Sequence, residues 1–308
     1  MKEKEYRVIV DTDPGLGKIG ADIDDGLAIF LMLNNPEIFH IEGISIVKGN
    51  TRINVGYKLA REYLKVKKRE DIPVLKGASS KREFGKENDA VKFMIDLVKE
   101  HPKEITIIAL GPLTNVSTAI NLDSEFLDNI KRVVFMGGTL YPIDAFSEKF
   151  RFLQSNDYNK TEFNFYSDAN AAKILLETPT KTPRIGFGLD VCCKVVFREE
   201  HFEQLKTFNT PVINHIMEPI RFWLNLWKFN KSNGFYPFDT LVPIYLIEAE
   251  LFKFIKINVE IDTIHLPGQI FILEKNRFDS APIKYCIDFN LKEDINRFLD
   301  ILIKNLGR

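Results

Sequence analysis

The residues best suited to chemistry are five aspartates that fall within fifteen positions of one another. Asp11, Asp13, Asp22, Asp24 and Asp25 all lie in the segment VDTDPGLGKIGADIDDGLAIF, residues 10–30. Carboxylates this close repel one another, so their convergence requires a compensating cation. Oxygen ligands without nearby His or Cys favour Ca²⁺ or Mg²⁺ over Zn²⁺. The alternative is that some of them only cap the following helix, and for Asp22 the two interpretations are equally favoured.

Two other site types share parts of this pattern. Gly15, Gly17 and Gly20 have the spacing of a dinucleotide-binding loop after a strand, but the flanking carboxylates would repel a pyrophosphate. The next strand also ends in Lys48-Gly49-Asn50, without an acidic residue for a ribose. A phosphohydrolase of the haloacid-dehalogenase type also has an Asp-x-Asp pair after its first strand. The later acidic motif that such an enzyme needs at a strand end is not found in the sequence.

The elements around this segment alternate in type along the chain. Short β-branched runs are separated by stretches with apolar residues three and four apart, which predicts βαβ units around a parallel sheet. The predicted strands are residues 6–13, 41–47, 105–110, 132–137 and 184–190, and the clearest helices are 89–100 and 167–177. In such a sheet, ligands bind at the carboxyl ends of the strands, where the aspartates lie.

The C-terminal part has a different pattern. After residue 255, closely spaced strands precede a final amphipathic helix at 294–306. We therefore expect an α/β protein in which residues 1–308 form a single large domain. It should have a mostly parallel, open, Rossmann-like sheet with flanking helices and a small antiparallel strand appendage near the C-terminus.

Composition limits the classes of partner. The chain has 308 residues and balances 42 Lys plus Arg against 43 Asp plus Glu, which gives no electrostatic reason to expect nucleic acid or a membrane surface. The N-terminus MKEKEYRVIV does not resemble a secretory signal, and the apolar run at 28–33 is far shorter than the roughly 20 residues of a membrane span. Three cysteines without a framework spacing favour a reducing cytoplasm.

Several short motifs follow the acidic segment in a fixed order. They are DTDPG followed by DD, KGN at 48–50, ALGPLTN at 109–115, VVFMGG at 133–138, EFN at 162–164 followed by SDANAA, GLDV at 188–191 and FD at 238–239. Over about residues 6–250 this order resembles the inosine-uridine-preferring nucleoside hydrolase family, the nucleoside N-ribohydrolases. The resemblance implies the nucleoside hydrolase fold, Ca²⁺-dependent hydrolysis of ribonucleosides to free base and ribose in nucleoside salvage and catabolism, and a homo-oligomer, a dimer or tetramer.

The resemblance also implies roles for particular residues. Asp13, Asp25 and Asp239 would be carboxylate ligands of the metal, and the main-chain carbonyl of Leu110 would complete the protein's share. All four supply oxygen, as Ca²⁺ requires. Asp13 would also be the general base that accepts a proton from water. For Asp239 the alternative is a simple helix cap.

Other matched positions would face the sugar. These are Asp24, Asn50, Asn156, Glu162 and Asn164, with Met136 packing beneath the ribose. A carboxylate there favours the cationic character that develops on the sugar. In an extended segment, Glu162 and Asn164 would project to one face. Taken singly, the four outside the acidic segment also fit ordinary turn roles, and Met136 fits plain core.

The chain departs from the family pattern after Gly15. It carries LGKIGADI, eight residues where the simplest pattern DxDPGxDD has one. Asp22 therefore competes with Asp24 for the sugar role, and Lys18 could reach into the site and repel the cation. Cys192 stands where related chains often have Thr, which could be a substitution without chemical consequence.

The second departure concerns the leaving base. Phe238 stands where some family members place a His that protonates the base, and Phe cannot donate a proton. None of the five histidines, His40, His101, His201, His215 and His265, matches a catalytic position. Members with an aromatic residue there favour purines, whose rings stack. The candidate stacking residues are Phe222, Trp223, Trp227, Phe229, Phe235, Tyr236 and Phe238, although helical spacing also fits core packing.

Two functions follow from the sequence. The first is a purine-leaning, Ca²⁺-dependent nucleoside hydrolase. The alternative is a catalytically weak or inactive protein of the same fold that only binds a nucleoside or ribose, because the leaving-group acid is missing and the acidic loop is lengthened.

Overall fold

The computed structural model describes residues 5–141, 161–274 and 281–308, and its framework is a nine-stranded sheet in the order β3-β2-β1-β4-β5-β6-β9-β7-β8. Pairing is parallel from β3 through β9, whereas β7 is antiparallel to both β9 and β8. The strands are β1 Tyr6–Thr12, β2 Phe39–Ile46, β3 Val74–Lys76, β4 Ile105–Ala109, β5 Arg132–Met136, β6 Arg184–Phe187, β7 Phe252–Ile261, β8 Ile270–Leu273 and β9 Ile283–Phe289.

Helices connect the strands. The α-helices in the described residues are α1 Asp24–Leu33, α2 Ile53–Val66, α3 Asp89–Glu100, α4 Thr114–Leu122, α5 Phe126–Asn129, α6 Phe163–Ser167, α7 Ala169–Glu177, α8 Leu189–Cys192, α9 Glu199–Leu205, α10 Pro211–Phe229, α11 Leu241–Ile247 and α12 Asp294–Leu306. Short 3₁₀ turns cover Lys81–Glu83, Phe238–Thr240 and Ala249–Leu251. None of the helices in the described ranges is long and apolar enough to cross a bilayer.

The central strands of the sheet are buried on both faces, which explains why β1 and β4 are largely apolar. Alternate residues of β1 belong to different clusters: Val8 and Val10 pack in the larger one, and Ile9 packs in the smaller one. All five residues of β4 are buried. Helices covering both faces of a parallel sheet define an α/β fold, as the sequence predicts.

The C-terminal strands are antiparallel, as predicted, but they continue the main sheet. β9 pairs parallel with β6, and β7 and β8 then extend the sheet beyond it. The predicted appendage is therefore the far edge of one sheet. The last helix has the predicted range, 294–306.

The loops at the carboxyl ends of β1, β2, β4 and β5 share one edge of the sheet. The acidic segment lies between β1 and α1, Asn50 follows β2, and Leu110 follows β4. β1 and β4 are neighbours in the sheet although β2 and β3 separate them in sequence. This reversal of strand order opens the crevice in which open α/β sheets bind ligands.

Candidate active site

A cavity of about 480 Å³ opens at this edge of the sheet. Its volume lies within the range of small-molecule sites, roughly 300–1,000 Å³. The described residues that line it are Asp13, Gly20, Asp22, Asp24, Asp25, Gly49, Asn50, Leu110, Met136, Thr161, Glu162, Phe163, Asn164, Leu189, Trp223, Phe238 and Asp239.

Ten of the eleven site residues proposed from the sequence line this cavity, and the eleventh, Asn156, lies outside the described residues. Asp22 also lines it. Lys18 is exposed in the loop and is not among the lining residues. Sequence reasoning missed Gly20, Gly49, Thr161, Phe163 and Leu189, whose types carry no chemical signal of their own.

Three carboxylates in the cavity lie close enough together to hold one ion, and Asp13 is not among them. Asp24, Asp25 and Asp239 each place a carboxylate oxygen within 4.8 Å of the others. The Asp239 N–H donates to Asp24 Oδ2 at 3.3 Å, which joins the segment after α10 to the start of α1. The hydroxyl of Thr12 and the N–H of Asp13 both donate to Asp25 Oδ1. Thr12 is therefore a supporting residue that sequence reasoning did not identify.

Burial and mutual repulsion hold these acids away from their ordinary titration range. Burial first, and then the neighbouring charge of Asp25, raises the pKa of Asp13 well above its usual value. Burial and the neighbouring carboxylates likewise raise the pKa of Asp24 and Asp239. The lining residues in the described ranges include no Lys, Arg or His. A cluster of oxygen donors without a protein cation is suited to a hard divalent ion.

Asp13 is fixed by the loop after β2. The Asn50 N–H donates to Asp13 Oδ2. Gly111, on the loop after β4, approaches the other carboxylate oxygen so closely that an added Cβ would lie 2.8 Å from Oδ1. The Asp13 carboxylate thus occupies a slot between the ends of three adjacent strands.

Asp11 does not belong to the cavity lining. Its Oδ1 accepts hydrogen bonds from Ser45 Oγ at 2.6 Å and Asn115 Nδ2 at 2.9 Å, within the core below the site. Burial raises the pKa of Asp11 to about 7. Asp11 therefore connects β1 to β2 and α4 behind the site.

Asp22 lies one residue before the N-cap position of α1. The residue at the N-cap position is Ile23, which makes no side-chain cap bond, and Asp22 Oδ1 accepts a bond from the adjacent Ile23 N–H at 2.7 Å. Asp24 and Asp25 occupy the first helical turn, where the partial positive charge of the helix end favours carboxylates.

Glu162 and Asn164 lie at the start of α6, so the condition of an extended segment, under which both would project to one face, is not met. Glu162 is the N-cap and accepts bonds from the N–H groups of Asn164 at 2.6 Å, Phe165 at 3.0 Å and Gly138 at 2.8 Å. Burial raises the pKa of Glu162 to about 7. The helix forms because this carboxylate satisfies its free N–H groups.

Asn164 is connected to the proposed carbonyl ligand. Its Nδ2 donates to the carbonyl oxygen of Leu110 at 2.7 Å and to that of Met136 at 3.1 Å. The Leu110 oxygen retains a second lone pair for another partner.

Phe238 and Trp223 form the aromatic wall of the cavity. Tyr236 stacks behind Phe238 with ring centroids 5.7 Å apart and ring planes 21° apart. The Cys192 thiol donates to the Phe238 carbonyl at 3.8 Å, so Cys192 contacts the backbone of the aromatic wall. Phe222 and Phe229 are exposed, and Trp227 and Phe235 are buried outside the lining. All five histidines are described, and none lines the cavity.

Comparisons with known proteins agree on one family. A family model described as inosine-uridine preferring nucleoside hydrolase matches residues 8–296. A probable uridine nucleosidase 2 from Arabidopsis thaliana is 30% identical over 226 residues, which covers 65% of this chain and 64% of that protein. A pyrimidine-specific ribonucleoside hydrolase, RihA, from Salmonella arizonae is 28% identical. The matched region covers 83% of this chain and 84% of that protein.

Solved structures share the fold over nearly the whole chain. The plant nucleoside hydrolase PpNRh1 superposes with a TM-score of 0.82 at 22% identity, covering 98% of this chain and 99% of the other. A purine-preferring ribonucleoside hydrolase from Gardnerella vaginalis superposes with a TM-score of 0.81 at 22% identity and the same coverage.

Proposed function

Because this chain belongs to the inosine-uridine preferring nucleoside hydrolase family, we propose that it hydrolyses the N-glycosidic bond of ribonucleosides in a Ca²⁺-dependent, purine-leaning reaction. Family membership removes the basis for the dinucleotide-binding and haloacid-dehalogenase interpretations. The observation that carries the proposal is the convergence of acidic and amide side chains from four segments on one cavity of nucleoside size.

The donor set fits a calcium ion. We propose that Asp13, Asp25, Asp239 and the Leu110 carbonyl hold the ion. Asp24 belongs to the carboxylate group with Asp25 and Asp239, so it is close enough either to bind the ion or to contact the sugar. When bound, Ca²⁺ would hold the attacking water and the ribose diol and make that water more acidic. Burial and mutual repulsion raise the pKa of Asp13, Asp24 and Asp239, and a bound cation would offset that repulsion.

Asp13 is the proposed general base. Its carboxylate is held by the Asn50 N–H and is confined between glycines, so its orientation does not depend on substrate. Proton transfer needs the base within hydrogen-bond reach of the water in a fixed geometry. As the oxygen of water bonds to the anomeric carbon, the C–N bond breaks, its electron pair leaves with the base, and the proton of water passes to Asp13.

Glu162 and Asn164 are the proposed sugar contacts. Both lie at the N-terminus of α6, and Asn164 is bonded to the Leu110 carbonyl. The Glu162 carboxylate would stabilise the positive charge that develops on the sugar. Met136 lines the same cavity and would pack beneath the ribose.

The purine preference rests on the aromatic wall. Phe238 offers a ring face supported by Tyr236, and Trp223 lines the same cavity. Neither Phe238 nor Trp223 has an acidic group that can protonate a departing base. The base would therefore take its proton from solvent. A larger aromatic base gains more from stacking.

The relatives differ in base preference. The curated relatives include uridine nucleosidases and pyrimidine-specific hydrolases, whereas one structural neighbour is purine-preferring. The deciding experiment is the release of ribose from inosine, adenosine, guanosine, uridine and cytidine, with Ca²⁺ and with chelator. We expect turnover with calcium, loss on chelation, and higher kcat/KM for purines.

The same experiment separates the enzyme from a binding protein. Phe238 cannot protonate the leaving base, and this observation favours a protein that binds nucleoside without cleaving it. Such a protein would show a nucleoside-induced rise in melting temperature and no released ribose. Turnover of any ribonucleoside excludes this alternative.

We also propose a cytoplasmic, homo-oligomeric enzyme of nucleoside salvage. Cys192 and Cys286 are buried free thiols, which suits a reducing compartment. On the edge strand β8, Phe271 and Ile272 are exposed and are suited to cover by another subunit. Sedimentation of the purified protein tests the oligomer, and a monomer at micromolar concentration would contradict it.

A further inference from the structure

The side chain of Asn50 is bonded at both ends to the backbone of one residue in the lengthened acidic loop. Its Oδ1 accepts from the Asp22 N–H at 2.9 Å, and its Nδ2 donates to the Asp22 carbonyl at 3.0 Å. The Asn50 N–H meanwhile donates to Asp13 Oδ2. Asn50 therefore links the proposed general base to the extra segment that distinguishes this chain.

The backbone of Gly15 lies directly against this pair of hydrogen bonds. A Cβ added to Gly15 would overlap the Asp22 carbonyl and would lie 2.5 Å from Asn50 Nδ2. Glycine at position 15 is thus what allows the two segments to approach each other. A side chain at position 15 would therefore disrupt the pair of bonds between Asn50 and Asp22.

The rest of the extra segment is also fixed. The Tyr63 hydroxyl donates to the Leu16 carbonyl at 2.6 Å, and the Leu16 side chain packs against Gly26 of α1. Gly17 and Gly20 adopt φ angles of 98° and 81°, which only glycine adopts without strain. Residues 16–23 are therefore an anchored part of the fold.

This anchoring places a carboxylate in the cavity. Asp22 and Gly20 line it. Asp22 Oδ1 accepts the Ile23 N–H at 2.7 Å, which leaves further lone pairs on the carboxylate. Asp22 is half-buried, so it remains accessible from the cavity.

We propose that Gly20 and Asp22, from the extra segment 16–23, form a fixed wall of the substrate cavity, in which Asp22 accepts a hydrogen bond from a hydroxyl of the nucleoside's sugar and Asn50 is the positioning residue that holds Asp22. This inference rests on the proposed nucleoside hydrolysis and assigns Asn50 a role different from the sugar contact that the family resemblance implies. Asp22 is then a determinant of sugar specificity that the simplest family motif lacks.

The chemistry explains why a carboxylate is suited to this wall. A sugar hydroxyl can donate one hydrogen bond, and a carboxylate can only accept. Hydrogen bonds to charged groups are the stronger kind, and a site built around one discriminates against an analogue that lacks the hydroxyl. The effect should therefore appear as selectivity between a ribonucleoside and one of its deoxy analogues.

The first experiment measures that selectivity. kcat/KM is determined for inosine and for 2'-deoxyinosine, 3'-deoxyinosine and 5'-deoxyinosine with the wild type and Asp22→Asn. We expect the preference for inosine over one of the three analogues to fall by about 10- to 100-fold in Asp22→Asn, because Asn keeps the shape but removes the charge. Unchanged selectivity against all three analogues would overturn the role of Asp22.

A double-mutant cycle tests whether Asn50 acts through Asp22. Asn50→Ala should lower the same selectivity, and Asp22→Asn on the Asn50→Ala background should add little, because the two residues act as one unit. Independent, multiplying effects would instead mean that Asn50 contacts the sugar directly. Asn290→Ala is the control: Asn290 Nδ2 also donates to backbone carbonyls, those of Glu250 and Phe252, and Asn290 is absent from the cavity lining.

Amide hydrogen exchange tests the anchoring without turnover. Asn50→Ala should speed exchange across residues 16–23, whereas Asn290→Ala should leave that segment unchanged. Equal protection in Asn50→Ala and wild type would overturn the anchoring. If the wild type cleaves no nucleoside, the proposed function fails, and the exchange result still decides whether Asn50 holds the loop.

Discussion

Gly49 lies so close to the Asp13 carboxylate that a Cβ atom on Gly49 would overlap Asp13 Oδ2. The same Cβ would lie 2.7 Å from Pro112 Cδ, so the loops after β2 and β4 leave no space for it. The backbone at this position therefore sets where the proposed general base can lie.

Gly49→Ala is expected to displace Asp13 and to lower kcat strongly. The cause is steric, so adding more substrate or more Ca²⁺ should not restore turnover. A useful comparison is Gly56→Ala, where the added Cβ would be 3.0 Å from its nearest neighbours, Ile46 Cγ2 and Thr51 Oγ1, and Gly56 is not in the cavity lining. If Gly49→Ala turns over inosine at the wild-type rate, the slot around Asp13 is not required.

Asp13→Asn should abolish most turnover while the fold survives. Asparagine retains the shape and an oxygen for the Asn50 N–H, yet it cannot accept a proton from water. General bases contribute about 10²- to 10⁴-fold, and kcat should fall by that order. Asp71→Asn, a change in an exposed ion pair with Arg69, is the matched control. Wild-type turnover by Asp13→Asn would assign the base role to Asp24 or Asp22 instead.

Asp239→Ala should weaken Ca²⁺ binding, measured as the melting temperature with and without the ion. A mere cap would cost about 0.5–2 kcal/mol and leave the calcium-induced shift intact. The structure shows no side-chain cap bond at the N-cap of α11, which is Thr240. We therefore expect the shift to shrink because a ligand is lost.

Asp168→Ala provides the contrast for that measurement. Asp168 is a true N-cap, since its Oδ1 accepts the Ala171 N–H at 3.1 Å at the start of α7. This variant should melt earlier and keep the full calcium-induced shift. Equal shifts in Asp239→Ala and wild type would exclude Asp239 as a ligand.

Phe238→Ala should reduce the preference for purines. Aromatic stacking contributes about 0.5–1.5 kcal/mol, so kcat/KM for inosine should fall about 2- to 12-fold more than kcat/KM for uridine. Phe229→Ala, at the exposed end of α10, should change neither value. An unchanged inosine-to-uridine ratio in Phe238→Ala would show that this ring does not select the base.

The buried carboxyls predict how stability depends on pH without metal. Burial raises the pKa of Glu162 from 4.5 to about 7 and also raises the pKa of Asp24 and Asp239. The folded state then binds protons more tightly than the unfolded chain, so the free energy of unfolding should fall as pH rises from about 4.5 to about 7. Because deprotonated carboxylates bind metal, the calcium-induced rise in melting temperature should grow over the same interval. Melting curves with chelator and with Ca²⁺ check both trends, and metal-free stability that rises across this interval would contradict the first.

The parallel sheet and the position of the acidic segment could both be predicted from the sequence. β-branched runs and helical periodicity are local properties, and they place the aspartates after β1 without any knowledge of distant contacts. The order of short motifs also led to ten described residues that line one cavity, because each motif ends a strand or begins a helix at the same edge of the sheet.

The contacts that the aspartates and their partners make depend on the tertiary structure. Asp239 reaches Asp24 across 215 positions, and Asp11 is directed into the core although it lies two residues from Asp13. Glu162 begins a helix because its carboxylate finds three free N–H groups, one of them on the distant Gly138. Asn50 binds the Asp22 backbone because Gly15 leaves room for the two loops to meet. Side-chain roles of this kind depend on which groups are left without partners when the strands assemble, and local sequence does not specify that.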